Sequence, residues 1–262
     1  MLLTRIRYHA PAATTAYPFN LPWLQGWPGL TFTTPITILV GENGSGKSTL
    51  LEAIATNYEA ILMSGAALAD NEEYDLAREL GAHFKLEWTH KTRGGFFFRA
   101  DDFISYLRAT RERQAFATRE LARIDAIDPT SLERQPYLNT LAEIRHMYAA
   151  DLDHLSHGQA FLGMFERRLR PGELYLLDEP EAPLTPQNQL ALLALIHDAA
   201  ATGAQFILST HSPILMALPG ATLYELGDTL APTHFDDIAH VQFMRNFLAD
   251  PGRFIHHLFP DS

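Results

Sequence analysis

The stretch Pro35-Ile36-Thr37-Ile38-Leu39-Val40 is apolar and β-branched and reads as a buried strand. It runs into Gly41 and then Glu42-Asn43-Gly44-Ser45-Gly46, a loop whose glycines reach backbone angles that other residues adopt only at a cost. From Lys47 onward Leu50, Leu51, Ile54 and Ala55 fall at helical spacing. A strand that feeds a helix through so short a glycine-rich loop leaves few folds open, and it predicts an α/β architecture with a mostly parallel central sheet. The same geometry aims backbone N–H groups of Gly41, Asn43, Gly44, Ser45 and Gly46 at one point, next to the positive end of a helix. That is a cradle for phosphate. Lys47 is placed to reach the β- and γ-phosphates, the Ser48 hydroxyl to hold Mg²⁺, and Thr49 to face the α-phosphate.

A second strand, Leu174-Tyr175-Leu176-Leu177, ends in the carboxylate pair Asp178-Glu179. Ligands of open parallel sheets bind at the carboxyl ends of strands, so these acids fall where a phosphate loop would need them. Asp178 is expected to hold Mg²⁺ through its water shell and Glu179 to polarise an attacking water. A third buried strand, Gln205 to Thr210, delivers His211 to the same edge as a γ-phosphate contact. The residues assigned to catalysis are therefore Glu179, His211 and Lys47, with ATP and Mg²⁺ as the implied ligands.

Leu155-Ser156-His157-Gly158-Gln159 opens a helical stretch from Ala160 to Leu169, with Ser156 in the place of an N-cap. In order along the chain, GENGSGKST, LSHGQ, LYLLDEPE and STHS resemble the motifs of the ATP-binding-cassette ATPases, including their soluble SMC-like branch. The chain is more similar still to small stand-alone bacterial ATPases of ABC or AAA type, through Gly41–Ala55, Phe96–Phe103, Ser156–Phe161, Leu174–Pro186, Thr210–Leu215 and the N-terminal Ala16–Pro22. The resemblance spans nearly the whole chain. It implies a single ABC-type P-loop domain over residues 1–262, with an N-terminal antiparallel β portion and a helical subdomain at about 104–170. It also implies that Ser156 and Gly158 meet the γ-phosphate held by a second copy, so that ATP closes a homodimer with composite sites.

The chain departs from that pattern in places. His157 replaces the commoner glycine of the signature loop. No glutamine follows Gly95–Arg99, where transporter cassettes carry one; either Asp101, Asp102 or Arg99 serves the metal or phosphate there, or Asp101 and Asp102 simply start a helix. Two readings of Glu181 also stand, a charge at a helix start and a residue of a subunit interface. Tyr17, Phe19 and Trp23 precede the phosphate loop, where an aromatic stacks on adenine in transporter cassettes, and core packing is the default for each. Strands are expected around Phe84–Thr89 and Phe96–Arg99, helices at Tyr74–Leu80, Ile238–Leu248 and Arg253–Phe259, and breaks near Pro129 and Pro136.

Composition narrows the setting. The chain has 262 residues, enough for a full α/β core, and no cysteine. No apolar run is long enough to cross a bilayer, and Met1–Tyr8 reads as a first strand rather than a signal peptide, so a cytoplasmic protein is expected. The net charge of −11 gives no support to non-specific nucleic-acid binding. Arginines gather at Arg108–Arg123 and at Arg167, Arg168 and Arg170; interleaved acids make solvated helix faces the default, with the dimer surface a second reading for the latter group. No sustained heptads support a long coiled-coil arm. The expected function is hydrolysis of Mg-ATP that drives an unidentified effector, by analogy one of nucleic-acid processing or phage defence. The ATP-binding subunit of a membrane transporter and a slow nucleotide-gated switch are the alternatives.

Overall fold

The computed structural model describes residues 1–11, 16–68, 71–92, 94–148 and 156–258. Its spine is a six-stranded sheet in the order β5-β6-β7-β3-β8-β9. These strands are β3 (Ile36–Val40), β5 (Gly95–Arg99), β6 (Leu174–Asp178), β7 (Gln205–Ser209), β8 (Thr222–Leu226) and β9 (Leu230–Thr233). All pair in parallel except β9, which returns antiparallel along β8. The fully buried central strands show why the sequence runs are continuously apolar: both faces are covered. Ile36, Ile38 and Val40 pack on one side with Tyr175, Leu177, Phe206 and Leu208, while Leu39, Leu176 and Ile207 pack on the other.

On the first side lie α3 (Ala100–Asp125), α4 (Gln135–Tyr148), α5 (His157–Arg168) and α6 (Pro186–Ala201). Phe98, Phe103, Phe161 and Phe165 join α3 and α5 to the sheet through ring contacts. On the second side lies α1 (Lys47–Asn57), backed by α2 (Asp75–Gly81). Beyond it a smaller antiparallel sheet has the order β2-β1-β4, from β1 (Leu3–Tyr8), β2 (Gly29–Thr31) and β4 (Phe84–Trp88). Gln205 ties the two sheets together: its side-chain oxygen accepts from the N–H groups of Leu2 and Leu3, and its amide donates to the Leu3 carbonyl. After β7 come the short α7 (Pro213–Met216), and at the end α8 (Ala239–Ala249) and α9 (Pro251–Leu258).

The strands expected around residues 84–89 and 96–99 both form, yet they do not pair with each other. β4 joins β1, whereas β5 joins β6. Gly95 makes the second pairing possible, because a Cβ there would lie 1.9 Å from the Leu174 carbonyl oxygen. Pro136 does not interrupt a helix; it sits in the first turn of α4, where a missing N–H costs nothing. Residues 149–154 and Phe259, which also entered the sequence reading, lie outside the described residues.

Candidate active site

The registers of the parallel strands align Arg99, Asp178, Ser209 and Leu39 across one edge of the sheet. Every functional side chain expected at a strand's carboxyl end therefore arrives on the same line. Above that line Gly41, Gly44 and Gly46 all have positive φ, 143°, 80° and 95°. At Gly41 a side chain is excluded outright, since a Cβ would lie 2.4 Å from the Leu226 carbonyl oxygen. Gly46 is the N-cap of α1, and Trp23 fixes the loop beneath it by donating its indole N–H to the Ser45 carbonyl at 2.8 Å. Asn43 and Gly44 are exposed, and Ser45 and Gly46 are half-buried.

Lys47 is 4% exposed, and its ammonium donates to the carbonyls of Gly41 and Glu42 at 3.0 and 2.9 Å. Burial lowers its pKa, while the charges of Glu179, Asp178 and Glu181 act the other way. An ammonium held by loop carbonyls is poised to exchange them for phosphate oxygens, which carry full charge. Ser48 donates to the Asp178 carboxylate at 3.0 Å, and Ser209 donates to the same oxygen. Burial raises the Asp178 pKa, against those two hydrogen bonds. A buried carboxylate disfavoured as an anion, with a hydroxyl beside it, is a donor set that a hard divalent cation fits, and Ser48 and Asp178 are the residues that would hold it.

Glu179 has φ 48°, an uncommon left-handed conformation for a residue with a side chain. Its N–H is directed at the Ser209 carbonyl and hydroxyl. Its carboxylate lies 3.5 Å from Nε2 of His211. That nitrogen is buried and has no hydrogen-bond partner. Burial, aided by the Lys47 charge, lowers the His211 pKa against the pull of Glu179, so the ring is neutral near pH 7.

Glu181 lies in the turn after β6 and not at a helix start. Its Oε1 accepts from the backbone N–H groups of His211 and Ser212 at 2.6 and 3.2 Å, strapping the histidine's loop to the end of β6. Thr49 is buried, with its hydroxyl 2.6 Å from the Tyr17 hydroxyl. Phe19 and Trp23 are core residues, but Tyr17 is 50% exposed beside the phosphate loop, so the core reading does not hold for it.

A cavity of about 350 Å³ opens beside Ser48, Asp178 and Glu179 and is also lined by Glu52, Arg99 and Asp101. Asp102 turns away and accepts from the buried Tyr74 hydroxyl at 2.6 Å. Arg99 is engaged by Glu73 at 2.5 Å and Glu52 at 3.6 Å. Glu52, one helical turn after Ser48, carries a pKa raised to about 7 by burial, with Arg99 opposing. Nothing in the sequence singled it out, because a glutamate within a helix reads as a solvated charge. Among the described residues no separate cluster of His, Cys, Asp or Glu suits a metal ion.

Ser156 and Gly158 are not part of this assembly. Ser156 is the exposed N-cap of α5 in a capping box with Gln159, and its hydroxyl accepts the Gln159 N–H at 3.2 Å. Gly158 is buried, with a would-be Cβ 3.0 Å from the Pro183 carbonyl oxygen and 2.9 Å from the Asn188 side chain. Close packing of the α5 start on the loop after β6 thus requires the glycine. Leu155 lies outside the described residues.

The parallel sheet, the glycine loop capping α1 and the serine–aspartate pair at the strand ends define a P-loop nucleotide-binding fold. The model of the ABC transporter family matches residues 32–182, and the chain belongs to that family, whose members are ATP-binding ATPases. The cobalt import ATP-binding protein CbiO of Salmonella typhimurium is 28% identical over 222 residues, 80% of this chain and 72% of the relative. The ABC-type transporter vrcC of Aspergillus aculeatus is 26% identical over 214 residues, 75% of this chain, which spans only 13% of that relative's length. The crystal structure of a nucleotide-free ATP-binding cassette from an ABC transporter aligns over 96% of both chains, at 17% identity and a TM-score of 0.47. No helix among the described residues is long and apolar enough to cross a membrane.

Proposed function

We propose that the chain hydrolyses Mg-ATP at composite sites formed when two copies close on the nucleotide, and that an effector protein receives the closing motion. The observation that carries this reading is the convergence of Lys47, Ser48, Asp178, Glu179 and His211 on one edge of the sheet. The γ-phosphate comes to lie at Lys47, which stabilises charge on the transferred phosphoryl group. Ser48 and Asp178 would hold a magnesium ion, which would neutralise phosphate charge there. Glu179 polarises the attacking water, and the neutral His211 ring, with its Nε2 free of other partners, steadies the carboxylate and the water.

In this reading Ser156 and the N-terminus of α5 complete the site of the second copy. The Ser156 oxygen accepts within its own capping box, which leaves the hydroxyl hydrogen available to a phosphate oxygen. Tyr17 is the one exposed aromatic of the three that precede the loop and takes the adenine. The family match supports a second reading, the ATP-binding subunit of a membrane transporter. Here the effector would be a membrane protein, and affinity purification from a membrane fraction separates the two.

Phosphate release with Mg-ATP tests the chemistry. Glu179→Gln should lower turnover by about 100-fold or more while still binding nucleotide. A preparation in which Glu179→Gln hydrolyses ATP as fast as the wild type overturns the assignment.

A further inference from the structure

The C-terminal ends of α4 and α5 meet around a cavity of about 380 Å³ that shares no lining residue with the one beside Asp178. His146 and Met147 line it from α4, Met164, Arg167 and Arg168 from α5, and Arg170 from the turn that follows. Three guanidinium groups thus gather within four positions of a chain whose net charge is −11. Yet among the described residues no carboxylate lies within ion-pair distance of any of them. Glu143 also faces the cavity, but it pairs with Arg113 at 3.7 Å.

Helix capping explains part of this cluster. Arg167 donates to the His146 carbonyl at the end of α4, and Arg170 donates to the carbonyls of Arg167 and Leu169 at the end of α5, each at 2.7 Å. Such contacts satisfy orphan carbonyls and suit the negative ends of helices. They use only some of the five N–H groups of each guanidinium and neutralise none of the charge. Arg168 is outside this explanation altogether. Its Nη1 is buried without any hydrogen-bond partner, contrary to the solvated helix face expected from the sequence. A buried donor left unpaired is costly, and a guanidinium turned toward the cavity would find its acceptors on an anion.

We propose that this cavity is a ligand site, separate from the phosphate loop, for a small phosphomonoester with an apolar or flat body, of the nucleoside monophosphate class. Guanidinium forks match phosphate oxygens, and three of them supply more donors than a carboxylate's two oxygens accept well. The sulfurs and methylenes of Met147 and Met164 give the uncharged part of the ligand an adaptable apolar wall. The volume falls in the range of small-molecule sites. Because both helix ends repel anions through their dipoles, the concentration of arginine is what makes an anion site possible at this position. The ligand would rest against the far end of the 12-residue helix whose N-cap is Ser156.

The test is calorimetric titration of 5′-AMP into the whole chain after the phosphate loop has been filled with Mg²⁺ and ATPγS. Binding should persist at unit stoichiometry, and inorganic phosphate alone should bind about tenfold more weakly. Arg168→Gln should weaken 5′-AMP by about tenfold, and the exposed Arg167→Gln, whose fold is not in question, by several-fold, both with ATPγS affinity unchanged. Absence of binding to the filled protein, affinity equal in wild type and Arg167→Gln, or equal affinity for inorganic phosphate would each overturn the proposal.

Discussion

Glu52 offers a test of the electrostatics that does not require the reaction. It lies on α1 with its side chain 19% exposed, and burial beside Asp178, Glu73 and Asp102 raises its pKa from 4.5 to about 7. A raised acid holds its proton in the folded state while the unfolded chain has released it. Between those two pKa values the folded state binds more protons, so stability falls as pH rises through the window. Integrating a single site with pKa 4.5 unfolded and about 7 folded gives a loss of about 1.4 kcal/mol between pH 6 and pH 8.5. Both values stand clear of the sequence pI of 5.5. Glu52→Gln removes this titration and leaves Arg99 paired with Glu73. Urea unfolding of wild type and variant at the two pH values isolates the site, because every other titrating group is common to both. The variant should gain about 1.4 kcal/mol on the wild type as pH rises. A difference that does not change with pH, or that changes with opposite sign, refutes the burial assigned to Glu52.

Other outcomes follow from the same geometry. Glu181→Ala orphans the His211 N–H and should cost about 1–3 kcal/mol along with most of the turnover, whereas Glu181→Gln keeps an acceptor and should lose far less in both. Melting curves and phosphate release read both variants. Gly41→Ala and Gly44→Ala both place a side chain at positive φ, but only the first meets backbone, the Leu226 carbonyl oxygen at 2.4 Å. Gly44→Ala should therefore cost about 1 kcal/mol and Gly41→Ala about 3 kcal/mol, in urea titrations of the two.

How far the sequence revealed this arrangement varied with how local the cause was. β3, β6 and β7 were legible because a strand covered on both faces must be apolar throughout, and such runs have few other readings. The phosphate loop was legible because Gly41, Gly44 and Gly46 sit where the backbone needs positive φ. Ser156 was legible as a cap because it stands just before the apolar periodicity of α5, and the capping box with Gln159 emerged only in the fold. The strap formed by Glu181 was not, since it depends on the parallel register of β6 with β7, which brings together residues about thirty positions apart. Tyr17 was hidden among neighbouring aromatics that are truly core, and only the fold turns it out beside Thr49. Arg168 lay within an apparently solvated run, and the convergence of two helix ends leaves it half-buried with its Nη1 enclosed.

The proposed closure brings Ser156 of a second copy to nucleotide held by Lys47. Light scattering on size-separated Glu179→Gln tests it most directly, because slowing hydrolysis lets the closed form accumulate. Composite closure predicts the mass of one chain without nucleotide, twice that mass with Mg-ATP, and a return to one chain when Ser156→Arg is added to the variant. A protein that binds Mg-ATP yet keeps the mass of one chain would contradict it, as would a dimer whose formation ignores both nucleotide and Ser156.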